Sequence, residues 1–492
     1  MTSWLDSMTT TSMAKASTPT SRILSLYESA KIQKIEDAAI RMEQNGFMVD
    51  PVYCAAGLKV AEADEIECLA MLRQTLGSLG VPPLPGVDDI WSSQKQLPFL
   101  LEHVLKMPPS PYKSKGKVDL DKGQRSTDKR ALDWIRGRVS GDTSKRRIVE
   151  GVVELRRIRS GIKYLRKFPT FIGPDGFIHP VCGPAGDEDD RVGALTGRFG
   201  MKNPEGQQIP KDLKKDRYRI RRAFVAPPGM KLVVADYTAL EVVILANICE
   251  MLFGDTLLLD LTGPGQDIHA FNAHGIFGKQ LDWRTDSGRR IADYPEQSLY
   301  KSDPELAWYR DTVKAVWYKL QYGGTVHGFA TSLLDKSGEP IGETRAKEIV
   351  DALYAACPPI QKWHKWVAEF LGCHRGIAGM DGRWIDYGDL IDKGKWGFEA
   401  ACRGADNGPM QMTGAATIGA AMVSCNEDPA FDKMGAVMQL QVHDELQYRA
   451  PEDKAQECGE LLEHHMVNAF PLKNLRVEWG IGDNWEEVKS KH

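Results

Sequence analysis

Apolar residues between positions 22 and 167 recur at helical intervals. Ile23, Leu26 and Tyr27, then Ile32, Ile35, Ala38, Ala39 and Met42, lie three, four and seven apart, which predicts an amphipathic helix. A second helical run covers 56–79, and Gly46, Asp50 and Pro51 separate the two. The stretch 80–111 holds seven prolines and predicts a loop-rich connector with one short helix near 95–106, followed by a polar segment at 114–124. Further on, KLVVA at 231–235 predicts a buried strand ending at Asp236, after which Leu240, Val243 and Ile244 resume helical spacing. Residues 255–390 are mostly helical in pattern. Between 437 and 450, Met438, Leu440 and Val442 alternate with Gln439, Gln441 and His443, a strand signature repeated at 446–448. No apolar run approaches the ~20 residues of a membrane span.

Composition bounds this picture. A chain of 492 residues with 42% hydrophobic, 26% charged and 8% aromatic residues should hold about three packed units. Collagen-like, disordered and disulfide-scaffold classes are excluded. Nine cysteines without a CxxC pair read as reduced thiols in an intracellular protein, and Cys373 beside His374 offers too few ligands for structural zinc. Residues 1–21 lack the apolar core of a secretory signal and read as a flexible tail.

The formal charge of −4 is uninformative, but its distribution is not. Residues 145–167 carry nine Lys and Arg, among them Arg156, Arg157 and Lys163, against only Glu150 and Glu154. Such a basic helix suits either a phosphate backbone or plain solvation. A second basic stretch, 202–222, has eight cations against three acids.

Three sets of residues suggest chemistry. Strict alternation would put Asp444 on the same face as Leu440, Val442 and Leu446, a costly burial. Either the strand turns at His443–Asp444 or a cation holds the carboxylate. Asp236 ends an apolar strand in the same way. Singly, each aspartate reads as a turn or cap residue; together they suit a divalent-metal site. In RDTVKAVWYKLQYGG, Arg310, Lys314, Tyr318 and Tyr322 stand four apart on one helical face, where cations can grip phosphates and a ring can stack on a base. Arg403, Asn407 and Gln411 form a second four-spaced stripe of hydrogen-bonding side chains, or a solvated helix surface.

In this order, these sets resemble the family A DNA polymerases, the class of bacterial polymerase I and many bacteriophage replicases, from about residue 31 to the end. DYTALE at 236–241 is similar to the family's first palm motif, RDTVKAVWYKLQYGG at 310–324 to its fingers motif, and VHDE at 442–445 to its second palm motif. TGR at 196–198, QQIP at 207–210, QDIH at 266–269, MDGRW at 380–384 and the 407–411 stretch fall in the family's order, and EQNGFMVDP and SSQKQL resemble its thumb. Two stretches depart from the usual pattern: Phe199-Gly200-Met201 follows TGR, and Met412-Thr413-Gly414 follows Gln411.

The resemblance implies an α+β right hand: a tail at 1–21, a helical thumb at 22–168, an antiparallel-sheet palm at 169–255 and 396–492, and helical fingers at 256–395. It implies a template-directed DNA polymerase that adds dNTPs to a primer 3′-hydroxyl. Asp236 and Asp444 would hold two Mg²⁺ ions, with Mn²⁺ able to substitute, supported by His443 and Glu445. His269, Arg310 and Lys314 would grip the triphosphate, Tyr318 would stack beside sugar and base, and Tyr322 would sit near the templating base. Glu241 would exclude a 2′-hydroxyl. Arg198, Arg403, Asn407 and Gln411 would follow the minor groove of the primer-template DNA.

About 30 residues precede the thumb-like phrases, so the expectation is a replicative enzyme without its own 3′–5′ proofreading. A separate exonuclease, a helicase-primase or a processivity factor would be its partners, in the cytoplasm or nucleoid of a bacterial host if phage-encoded. A single-subunit RNA polymerase and a catalytically silent DNA-binding protein are the alternatives; Glu241 opposes the first, and the presence of both aspartates opposes the second.

Overall fold

The computed structural model describes residues 19–82, 90–110, 125–139, 141–183, 196–210, 216–295, 300–321, 323–333 and 341–490. The tail to residue 18, the polar segment 114–124 and Tyr322 lie outside them.

Helix α1 (Pro19–Asn45) is followed by α2 (Pro51–Ser78), whose start is set by Asp50: its carboxylate accepts from the amides of Val52 and Tyr53 at 2.8 and 3.0 Å, with Pro51 as the first helical residue. Helices α3 (Lys129–Arg138) and α4 (Thr143–Lys167) are capped likewise by Asp128 and Asp142. Helix α4 packs along α2 so closely that a Cβ on Gly151 would lie 2.6 Å from the Leu72 side chain, so glycine sets the approach. Leu69, Leu72 and Leu76 of α2 share an apolar cluster with Ile148, Val152 and Leu155 of α4.

α1 belongs elsewhere. The resemblance implies a start to the thumb here, but Ala38, Ala39 and Met42 are buried in a different cluster, with the sheet and the helices behind it. Periodicity identifies an apolar face, not the surface that will cover it.

Four antiparallel strands form the central sheet: β1 (Met230–Tyr237), β2 (Val437–Val442), β3 (Glu445–Pro451) and β4 (Val477–Gly482), in the order β4-β1-β3-β2. Both faces are covered. Val233, Ala235, Tyr237, Leu446 and Tyr448 pack into one cluster with helices α5 (Leu240–Phe253), α6 (Lys395–Glu427) and α7 (Ala455–Val467). Leu232, Val234, Leu440 and Val442 join the α2–α4 cluster on the other face.

The expected single-face alternation of Met438, Leu440 and Val442 is wrong. A register shift between Met438 and Leu440 sends Met438 to one cluster and the other two to the opposite one, while Gln439 and Gln441 are also buried. A bulge resets the two-residue period, which a pattern count cannot register. Between α5 and α6 the chain is mainly helical, and α8 (Pro304–Gln321) carries the RDTVKAVWYKLQ segment.

Candidate active site

Both aspartates reach one cavity from strand ends. β1 delivers Asp236, and the chain then passes Ala239, with φ of 51°, into α5, whose first turn carries Glu241. The β2–β3 hairpin turns on His443 and Asp444, so the first of the two sequence alternatives holds. His443 takes a left-handed φ of 59°, a conformation uncommon outside glycine, and its carbonyl accepts from the Gln441 side chain. The turn docks on β1 through Tyr237 N to Asp444 O at 3.2 Å. A cavity of about 590 Å³ is lined by Asp236, Glu241, His443 and Asp444, by Gln266, Asp267 and His269, and by Arg310, Lys314 and Tyr318 of α8.

Glu445 does not line this cavity. It is fully buried and is the antiparallel register partner of Asp236, so the two side chains share one face of the sheet; its Oε1 accepts from Gln447 Nε2 and Trp485 Nε1, each at 2.7 Å. The ladder sets Glu445 next to Asp236, behind the lining of the cavity.

Asp267 organises the side of the cavity that carries His269 and Arg310. Its carboxylate accepts from the His269 and Ala270 amides, each at 3.1 Å, and from Arg310 Nε at 2.8 Å. Burial pushes its pKa up, but Arg310 and these amides outweigh burial and hold it below the usual carboxylate range. His269 is 4% exposed, between Trp317 at 6.1 Å and Tyr318 at 5.8 Å. Burial, aided by the Arg310 and Lys314 charges and opposed by Asp267, pulls its pKa down to about 3. The imidazole is therefore neutral near pH 7 and can donate a hydrogen bond without adding a positive charge. Burial, with Glu241, Asp444 and Asp236 adding, pushes Tyr318 up to about 12 and keeps its hydroxyl protonated.

Arg198 donates to Glu241 Oε1 at 2.6 Å on the cavity rim. Of the α6 stripe, Arg403 is exposed, Gln411 half-buried and Asn407 buried, and none of the three lines the cavity, although Met410 and Gly414 of the same helix do. Gly323, with φ of 65°, closes over this stripe: a Cβ there would meet Arg403 at 2.7 Å and Asp406 Oδ2 at 2.9 Å. Arg156 turns inward and bonds Thr127, Arg157 lies 3.5 Å from Glu154, and Lys163 lies 4.0 Å from Glu205, all on α4 away from the cavity.

Asp406 yields the first expected result. Burial, partly offset by Arg403, pushes its pKa up to about 8. An unfolded carboxyl ionises near its ordinary value of 3.8, so between pH 4 and 8 unfolding releases a proton and stability falls as pH rises. Asp406→Asn should match wild type in thermal unfolding at pH 4 and exceed it increasingly up to pH 8. A melting-temperature difference independent of pH would contradict this.

Sequence reasoning missed Asp267, Lys301, Arg476 and Glu478, all cavity residues. Asp267 had a local signal, an N-cap residue opening a helix. Arg476 and Glu478 had none, because they arrive only through the pairing of β4 with β1.

A helical hand around a four-stranded palm, with two aspartates at its rim, is the architecture of polymerase domains. The POL domain of Pol1 from M. smegmatis, solved in complex with DNA primer-template and dNTP, matches with a TM-score of 0.74 at 24% identity, over 93% of this chain and 70% of that one. The profile of DNA polymerase family A matches residues 89–294 and 301–487. The thermostable DNA polymerase I of Thermus thermophilus is 30% identical over 471 residues, 95% of this chain and 49% of the relative. DNA polymerase I of Deinococcus radiodurans is 31% identical over 75% of this chain and 34% of its own length. This chain belongs to DNA polymerase family A, and it spans about half the length or less of these relatives.

Proposed function

We propose that the chain is a template-directed DNA polymerase that transfers a deoxynucleotidyl group to a primer 3′-hydroxyl. The observation that carries this reading is the meeting of Asp236 and Asp444 with Arg310, Lys314 and Tyr318 around one cavity. The donor set suits the metal the family implies. Among the described residues no group of three or more His, Cys, Asp or Glu forms a cage, and Mg²⁺ favours one or two carboxylates completed by water and substrate phosphates. Asp236 and Asp444 would hold two Mg²⁺ ions, or Mn²⁺ in their place. Bound there, the metal supplies activation of the 3′-hydroxyl and charge neutralisation at the leaving pyrophosphate.

The chain's own side chains do the rest. Lys314 and Arg310 bind the triphosphate, Arg310 held in orientation by Asp267. Neutral His269 donates a hydrogen bond to it. Tyr318 lies beside the sugar and base, and Glu241, braced by Arg198, fills the space a 2′-hydroxyl would need. Asn407, Gln411 and Arg403 follow the duplex minor groove, where shape is read with little sequence information. No helix among the described residues is long and apolar enough to cross a membrane, and reduced, unpaired cysteines suit an intracellular site of action.

Primer extension tests the reading. The purified chain should extend a primed template with dNTPs and Mg²⁺ and stall with rNTPs; a preference for rNTPs would favour an RNA polymerase, and no extension with either would leave a binding protein.

A further inference from the structure

Trp485 opens the final helix, α9 (Trp485–Ser490), and its side chain is fully buried. Three groups meet on its indole. The Nε1–H donates to Glu445 Oε1 at 2.7 Å, the Arg221 guanidinium lies 3.8 Å from the ring centroid, and Phe224 packs edge-on at 5.2 Å. Gln447 Nε2 brings a second donor to the same oxygen at 2.7 Å. Arg221 is itself 5% exposed and fixed by the carbonyls of Pro210 at 3.0 Å and Ile209 at 3.2 Å. Its charge faces Glu445, Asp236 and Asp216. Next to Trp485, Glu486 takes Arg219 Nε at 2.9 Å, so the final helix is tied twice to residues 219–221.

The carboxylate so held stands at the junction of the site. Glu445 follows Asp444 in the chain and is the register partner of Asp236. A shift of Glu445 therefore moves both aspartates, by the covalent chain on one side and by the ladder on the other.

Resting on the polymerase reading above, we propose that Trp485 is a positioning residue for nucleotidyl transfer. It grips Glu445 Oε1 on the sheet face that also carries Asp236, with Arg221 as stacked countercharge, and so aims Asp444 and Asp236 at the cavity. Packing alone would need an aromatic ring here but no N–H. The indole donor on a fully buried carboxylate is what points beyond packing.

The test is single-nucleotide extension by the full chain as wild type, Trp485→Phe, Glu445→Gln and the double variant. Phe keeps a ring under Arg221 and removes only the donor. Trp485→Phe should lower kcat about 10-fold and raise the Mg²⁺ concentration for half-maximal rate, with dNTP KM and primer-template Kd within about twofold of wild type. The double variant should be no slower than Glu445→Gln alone, since both changes act through one carboxylate. Gln447→Met, which removes the other donor, should give the same split and serves if Trp485→Phe does not fold. A wild-type rate and Mg²⁺ dependence in these donor variants, or losses that multiply in the double variant, would overturn the proposal. An inactive wild type would instead sink the polymerase reading, and this role with it.

Discussion

Asp444→Asn is expected to reduce primer extension by at least about 10³-fold, roughly 4 kcal/mol of transition-state stabilisation, while primer-template binding changes little. Asp444 sits on a two-residue turn that is anchored by its backbone to Tyr237 and by the Gln441 side chain to His443. Asn fits that turn, so the substitution removes charge from the cavity without disturbing its wall. The retained binding follows from distance: the basic residues of α4 and the stripe on α6 lie outside the cavity. Extension assays run beside filter binding or anisotropy would check both halves. Near-normal extension would refute the metal-holding role, and parallel loss of binding would mean that the hairpin had collapsed.

The second large effect concerns sugar choice. Glu241 lies on the cavity wall at the start of α5, its carboxylate on Arg198 at 2.6 Å and its carbonyl accepting from Gln321 Nε2 at 3.2 Å. Gln321 thus fixes its backbone and Arg198 its side chain. Glu241→Ala should open the space and lower discrimination against rNTPs by about 10²-fold, the scale of rejecting one small group by fit. Glu241→Gln separates bulk from charge, since glutamine keeps the volume and an acceptor for Arg198. It should retain most of the discrimination, measured as the ratio of kcat/KM for dNTP over rNTP. If Gln behaves like Ala, exclusion rests on the ion pair with Arg198 and not on size.

Residues whose surroundings are local were legible from the chain. The apolar run ahead of Asp236 identified β1, and the four-residue spacing of Arg310, Lys314 and Tyr318 was enough to put them on one face of α8. Both depend only on backbone periodicity, a property of a few consecutive residues. The face of Glu445 was not legible, because the bulge preceding Leu440 and the turn at His443 shift the phase of the alternation. Nor was the core joined by α1, since Ala38, Ala39 and Met42 would satisfy either cluster. The stripe of Arg403, Asn407 and Gln411 reads as uniform in sequence, yet Arg403 is exposed, Asn407 buried and Gln411 half-buried.

By itself, the order of short motifs along the chain determined the family and the α+β class, and it named Asp236, Asp444, His269, Arg310, Lys314 and Tyr318, which meet around one cavity. Such motifs are readable because each is a local conformation with chemistry attached, carried by a few consecutive residues. Tertiary structure alone decided how those groups are held: Arg310 on Asp267, Glu241 on Arg198, and Glu445 on Trp485 at the start of α9. Those pairings join segments far apart in sequence, and their strength depends on burial and orientation that exist only once the sheet has both its faces covered.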